Sequence, residues 1–278
     1  MNTKAAKIIL LLVCLLAMGA YGYTYWTSHL RDRIDPPTIH FSGDSLSISV
    51  KDDEAALLAD VSATDPKDGD VTYSLMIESL SKLLPGNERI VTYVAFGGED
   101  RVGKADRRII YTDYEKPRFY LTGALTMSSA NAYVTDALRS IGATDCLDGD
   151  ITNKIVILGT EAAQSILGEQ FVPIRLQAFN SCGDVAEISL RVLVQGAGYM
   201  STLRPALTEY LVYRKVGERF DPRGLLDTRA LSEAGLSSAD VEIVSDVNLQ
   251  QAGCYTVLYI VQRDEAKAVT PLTVVVEE

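Results

Sequence analysis

The chain has 278 residues, 47% of them hydrophobic and 23% charged, a balance that belongs to folded domains and excludes a disordered polymer. The formal net charge of −11 argues against nucleic acid as a partner, since a phosphate backbone demands clustered Lys and Arg and the longest basic run is Arg107-Arg108. The only two histidines, His29 and His40, lie near the start, which leaves the body of the chain little room for a Ser-His-Asp, Cys-His or His-rich metal site and points away from an enzyme.

The first element is an almost unbroken apolar run from Ile8 to Trp26, preceded by Lys4 and Lys7. At about 1.5 Å rise per residue a helix of this length spans roughly the 30 Å of a bilayer core. Tyr21, Tyr23, Tyr25 and Trp26 gather at its far end, where amphipathic rings favour the headgroup region. Two readings compete: an uncleaved signal anchor, and a signal peptide cut near Ala20-Tyr21-Gly22; the length of the run favours the anchor. The small excess of positive charge before it predicts a cytoplasmic tail at 1–7, a transmembrane helix at 8–26 and a linker at 27–36 leading to an exported body.

The body contains an internal repeat. Residues 63–72 read ATDPKDGDVT and residues 143–152 read ATDCLDGDIT, seven of ten positions being identical at an offset of 80. A second match, Val94-Ala95-Phe96 before a Gly/Asp-rich turn and Gln177-Ala178-Phe179 before another, has an offset of 83. Two collinear matches mark duplicated modules. Around them apolar residues alternate with period two: Leu46, Ile48 and Val50; Val71, Tyr73, Leu75 and Ile77; Ile174, Leu176 and Ala178; Ile188, Leu190, Val192 and Val194. That is the pattern of half-buried antiparallel strands. Helical periodicity competes only at Glu161–Leu167 and Leu225–Ser237. The final stretch lacks the DGD turn, but Gly253–Val261 and Leu272–Val276 read as a closing hairpin. The expected architecture is all-β, with modules at 37–115, 116–197 and 203–278 joined by short linkers.

These motifs resemble bacterial immunoglobulin-like repeats of the "ATDxxDGDIT" type, carried in tandem on exported surface proteins. Ala63–Thr72 and Ala143–Thr152 match the turn; Gly97-Gly98-Glu99-Asp100 departs from the usual later turn, and the third segment matches at Val216–Pro222 and Gly253–Val261 only. The resemblance implies three tandem immunoglobulin-like β-sandwiches acting extracellularly as a spacer, adhesion or protein-interaction module with a protein or glycan ligand. A carbohydrate-binding protein or a cell-envelope assembly subunit is the alternative, and a carboxylate-dependent hydrolase a more remote one.

Asp65, Asp68 and Asp70, and their counterparts Asp145, Asp148 and Asp150, are the densest oxygen clusters. They are candidate calcium ligands, because Ca²⁺ accepts six to eight oxygens in flexible loops. The competing reading is mechanical: Asp side chains accept from nearby backbone N–H groups, while Gly69 and Gly149 supply positive φ for a tight turn. In an immunoglobulin-like sandwich the turns holding Cys146 and Cys182 lie at one end. A disulfide between them would close a loop of about 36 residues, contributing about 3–4 kcal/mol in the loop-entropy account; two separate thiols is the other reading. Cys254 is left over, as a half-buried strand residue or, in the other reading, an intermolecular link.

Overall fold

The computed structural model describes residues 3–31, 35–128, 135–196 and 198–278, with the side chains at 3–10, 28–31 and 135–136 outside the description. Strand residues outnumber helical ones, 46% against 18%, so the all-β expectation stands. The chain forms two compact units, Met1–Asp113 and Tyr114–Glu278.

The first unit runs α1 (Thr3–Arg31), β1 (Thr38–Phe41), β2 (Ser45–Ile48), α2 (Glu54–Leu58), β3 (Val61–Asp65), β4 (Gly69–Asp70), β5 (Met76–Leu80), β6 (Glu88–Phe96) and β7 (Val102–Tyr111). The apolar run expected to span a membrane at 8–26 lies within α1. Among the described residues no helix is long and apolar enough to cross a membrane, and the side chains at 8–10 fall outside them. The strands form two sheets, ordered β1-β3-β4 and β2-β7-β6-β5. Alternation does the sorting: β3 buries Val61, Ala63 and Asp65 and exposes the residues between. The Phe41 and Tyr93 rings meet across the sheets at 5.3 Å, and the buried Tyr93 hydroxyl donates to the Leu57 carbonyl. One expected strand is shorter than its periodicity. Val71 is buried, but Tyr73 is 87% exposed on a 3-10 turn at Thr72–Ser74, and pairing resumes at Met76. Asp70 accepts from the Thr72 amide there and starts the turn.

The second unit runs β8 (Arg118–Leu121), β9 (Thr126–Met127), α3 (Thr135–Leu138), β10 (Ile141–Asp145), β11 (Gly149–Asp150), β12 (Val156–Thr160), β13 (Gln164–Ile166), β14 (Glu169–Phe179), β15 (Val185–Val194), β16 (Leu211–Lys215), α4 (Thr228–Glu233), β17 (Glu242–Ser245), β18 (Gly253–Arg263) and β19 (Ala266–Glu277). Its first two sheets, β11-β10-β8 and β12-β14-β15-β9, reproduce those of the first unit strand for strand, and β13 adds to β14. The sequence repeat is therefore a repeat of topology. Of the two stretches with helical periodicity, 161–167 forms β13 and a turn, while 225–237 holds α4. Asp227 caps α4 by accepting from the Arg229 and Ala230 amides.

Residues beyond 200 supply one further sheet, β16-β19-β18-β17. Leu226, Leu231, Leu236 and Val241 cover it, packing with Val257, Tyr259, Leu272 and Val274. This sheet is joined firmly to the sandwich before it. Phe171 and Leu193 form a buried cluster with Leu258 and Val269, and Leu211 enters the sandwich core. Each such side chain contributes about 2 kcal/mol on burial. The Tyr213 hydroxyl bridges the Phe119 N–H and carbonyl, both at 3.1 Å. Arg191 reaches Asp246 at 2.6 Å, and the buried Glu169 carboxylate accepts from both Lys267 and Tyr199.

Candidate functional site: two aspartate turns and a cleft

In the first unit the turn between β3 and β4 is built around Asp65. Its Oδ1 accepts from the amides of Lys67 and Asp68, at 2.8 and 2.9 Å. The Arg101 guanidinium grips Asp65 at 2.7 Å and Asp68 at 3.0 Å, while Asp68 also accepts from the Gly98 amide. The turn is thereby clamped onto the loop between β6 and β7. Burial pushes the Asp65 carboxyl up, yet the two amides and Arg101 outweigh it and hold it below its ordinary range. Gly97 is required at this point: a Cβ there would lie 2.2 Å from Asp65 Oδ2. Asp70 accepts from the Thr72 amide, and Gly69 has φ +78°.

The second unit repeats the geometry with different partners. Asp145 Oδ1 accepts from the amides of Leu147 and Asp148, and Asp150 from that of Thr152. Gly149 has φ +71°. Asp148 accepts from the Ser181 amide, as Asp68 does from Gly98. Asp145, however, is held by the Asn180 side-chain amide at 3.0 Å rather than by an arginine. Asn180, 2% exposed, also donates to the Tyr114 hydroxyl and accepts from the Asp184 amide. Tyr114 donates to the Asp184 carboxylate at 2.7 Å. Burial first, and that carboxylate second, raise the Tyr114 pKa far above its ordinary value. Lys154 pairs with Asp148 at 2.6 Å; with the Ser181 bonds it overcomes burial and holds Asp148 low.

These contacts bear on two expectations. The six aspartates act as turn acceptors and ion-pair partners, and a calcium ion would have to displace Arg101 or Lys154. Among the described residues no group of His, Cys, Asp and Glu could hold a metal. The expected Cys146–Cys182 disulfide is not present either, all four cysteines being thiols. Cys182 is buried and points to Asn180 Oδ1, whereas Cys146 is exposed and donates to the Glu115 carbonyl at 3.1 Å. Each sulfur has an acceptor in its own neighbourhood. Burial pushes the Cys254 thiol up to about 11, in keeping with an inert strand residue.

Arg101, Asn180, Ser181 and Tyr114 escaped the sequence reading. The offset of 83 aligns Gly97 with Asn180, Gly98 with Ser181 and Arg101 with Asp184, so the exchange of partners was open to inspection there. Also unforeseen is a cleft of about 520 Å³ in the second unit, lined by segments at 115–119 and 185–188 and by Tyr213, Val275, Glu277 and Glu278. Arg118 lies 4.9 Å over the Tyr213 ring and pairs with Glu277 at 3.3 Å.

No family model and no curated protein matches the chain. Among solved structures it is similar to that of CBM51-2 in complex with GlcNAc and INT domains from Clostridium perfringens ZmpB, at 15% identity and a TM-score of 0.23 over 52% of this chain and 29% of that one. It is also similar to the extracellular cadherin domains 1–5 of protocadherin gamma B2, at 13% identity and a TM-score of 0.19 over 88% of this chain and 60% of that one. The chain spans less than a third of the length of the two ZmpB structures it matches. Likenesses at these TM-scores assign no activity to it.

Proposed function

We propose that the chain is a membrane-anchored surface protein: a helix over 8–26 holds tandem immunoglobulin-like modules, at 37–115, 116–197 and 203–278, outside the cytoplasm as a spacer and interaction module. The observation that carries this reading is the joint within the second unit. A shared apolar cluster, the Tyr213 bridge to Phe119 and the Arg191–Asp246 pair lock the sandwich to the sheet that follows. A spacer needs such stiff joints, because a flexible linker would let successive modules move independently. The repeated aspartate turns support tandem duplication of a structural unit. Their carboxylates are engaged in turn bonds and ion pairs, so we assign the chain binding rather than a catalytic step.

The test is made on the full chain with a C-terminal tag, expressed in bacteria. It should stay in the membrane pellet after alkaline carbonate washing, with the tag cut by protease added to intact cells. A carbonate-soluble chain removes the anchor, and a tag that resists external protease removes the surface location.

A further inference from the structure

The cleft in the second unit has an unusual wall. The segment 185–188 belongs to the start of β15, which pairs with β14 from Val185 to Leu193. On its other side β9 pairs only with Leu193 and Val194, and among the described residues no strand covers the rest. The amides of Leu193 and Gln195 donate toward the β9 side. With the two-residue period of a strand, those of Glu187 and Ser189 point to the same open edge. A row of outward N–H and C=O groups is a template for another strand.

The walls facing this edge suit an extended chain. Phe119, Val275 and Pro117 supply apolar surface, and a volume of about 520 Å³ falls within the range of roughly 300–1,000 Å³ for small-ligand sites. Charge around the cleft is unbalanced: Glu115, Glu187, Glu277 and Glu278 stand against Lys116 and Arg118. The Tyr213 ring that a sugar would stack on is already covered by Arg118. Edge pairing supplies affinity through the main chain, with side-chain pockets and charge selecting the sequence.

We infer that this cleft binds an extended, lysine-rich or arginine-rich polypeptide segment that adds as a strand to the free edge of β15. The inference rests on the interaction-module reading above for the class of occupant, and its test is independent of membrane location.

The test uses the full chain in mild detergent and three blocked hexapeptides. One alternates Lys and Val, one has the same sequence with alternate amides N-methylated, and one has Glu in place of Lys. The basic peptide should shift the Glu187 and Ser189 amide resonances and bind at least about tenfold more tightly than the other two, a factor worth about 1.4 kcal/mol. Glu187→Pro removes an outward N–H at a position where an edge strand tolerates proline, and should weaken the basic peptide by a similar factor. If that variant unfolds, the N-methylated peptide decides the matter on the unaltered chain. Equal binding of the N-methylated peptide overturns the inference, as does failure of the basic peptide to bind. So does an N-acetylglucosamine trimer producing the same shifts. A chain that stays in washed membranes yet ignores every peptide loses the cleft and keeps the module reading; one that binds the basic peptide but is carbonate-soluble does the reverse.

Discussion

Asp65 and Asp145 hold the same place in two copies of one turn, but their partners differ in charge and in position. In the first unit the arginine immediately before β7, on the loop that follows β6, reaches back to Asp65. In the second unit that position is Asp184, and Asn180, standing where the first unit has Gly97, bonds to Asp145 instead. The two solutions exclude each other. With Asp65 pressed against residue 97 no side chain fits there, and with Asn180 filling the space an arginine from position 184 is unnecessary. A buried carboxylate can thus be satisfied by a charge or by a neutral network, provided every remaining oxygen and amide finds a partner.

The largest effect should come from forcing one solution into the other unit. Gly97→Asn places a side chain where Asp65 and Arg101 already meet, and overpacking of this kind costs about 3 kcal/mol. Urea unfolding should show the loss in the first unit, with the second unchanged. Next, Asn180→Ala leaves Asp145 Oδ2 without its donor and the Asp184 amide without its acceptor, costing about 2–3 kcal/mol. Its loss should fall on the second unit, and equal destabilisation of both would contradict the separation of the clamps.

Acid should sharpen the comparison. Asp60 is held low chiefly by its bond from Arg107. Asp65 is held low by its amides and Arg101, against the burial that pushes it up. A carboxyl whose folded pKa lies below its unfolded value, about 3.9, adds stability above that value and loses it as pH falls through the folded one. Asp70 and Asp113 of the first unit are lowered too, whereas Asp148, Asp150 and Asp240 carry the effect in the second. Urea midpoints should fall for both units on going from pH 7 to pH 3, and further for the first. The smallest effect belongs to Lys67→Ala. It removes an exposed pair with Glu99, and its unfolding free energy should change by less than about 0.5 kcal/mol.

Much of the fold could be read from the chain because the repeat and the two-residue alternation are local signals. The turn glycines at 69 and 149 were legible for the same reason: positive φ has few other occupants. Tyr73 misled because alternation continues through a 3-10 turn that only the Asp70 bond to Thr72 reveals. The stretch at 161–167 misled because three strand residues in β13 are too few to establish a period. The clamps depend on residues more than thirty positions apart, such as Asp65 with Arg101, and the joint on pairs farther still, such as Phe119 with Tyr213. Those partnerships become visible only once the strands are laid side by side.

Among the described residues three pairings between strands are parallel, with a mechanical consequence. β2 lies along β7, β9 along β15 and β16 along β19, with four, two and five residue pairs respectively. In each, a strand near the start of a fold runs beside the one that closes it. A pull along the strands loads these bonds in shear, so they resist together; a pull across them would open the ladder one rung at a time. Resistance to sudden extension is set by the rate of unfolding rather than by equilibrium stability. Held in tension, the region carrying β9 should yield first and the one carrying β16 last.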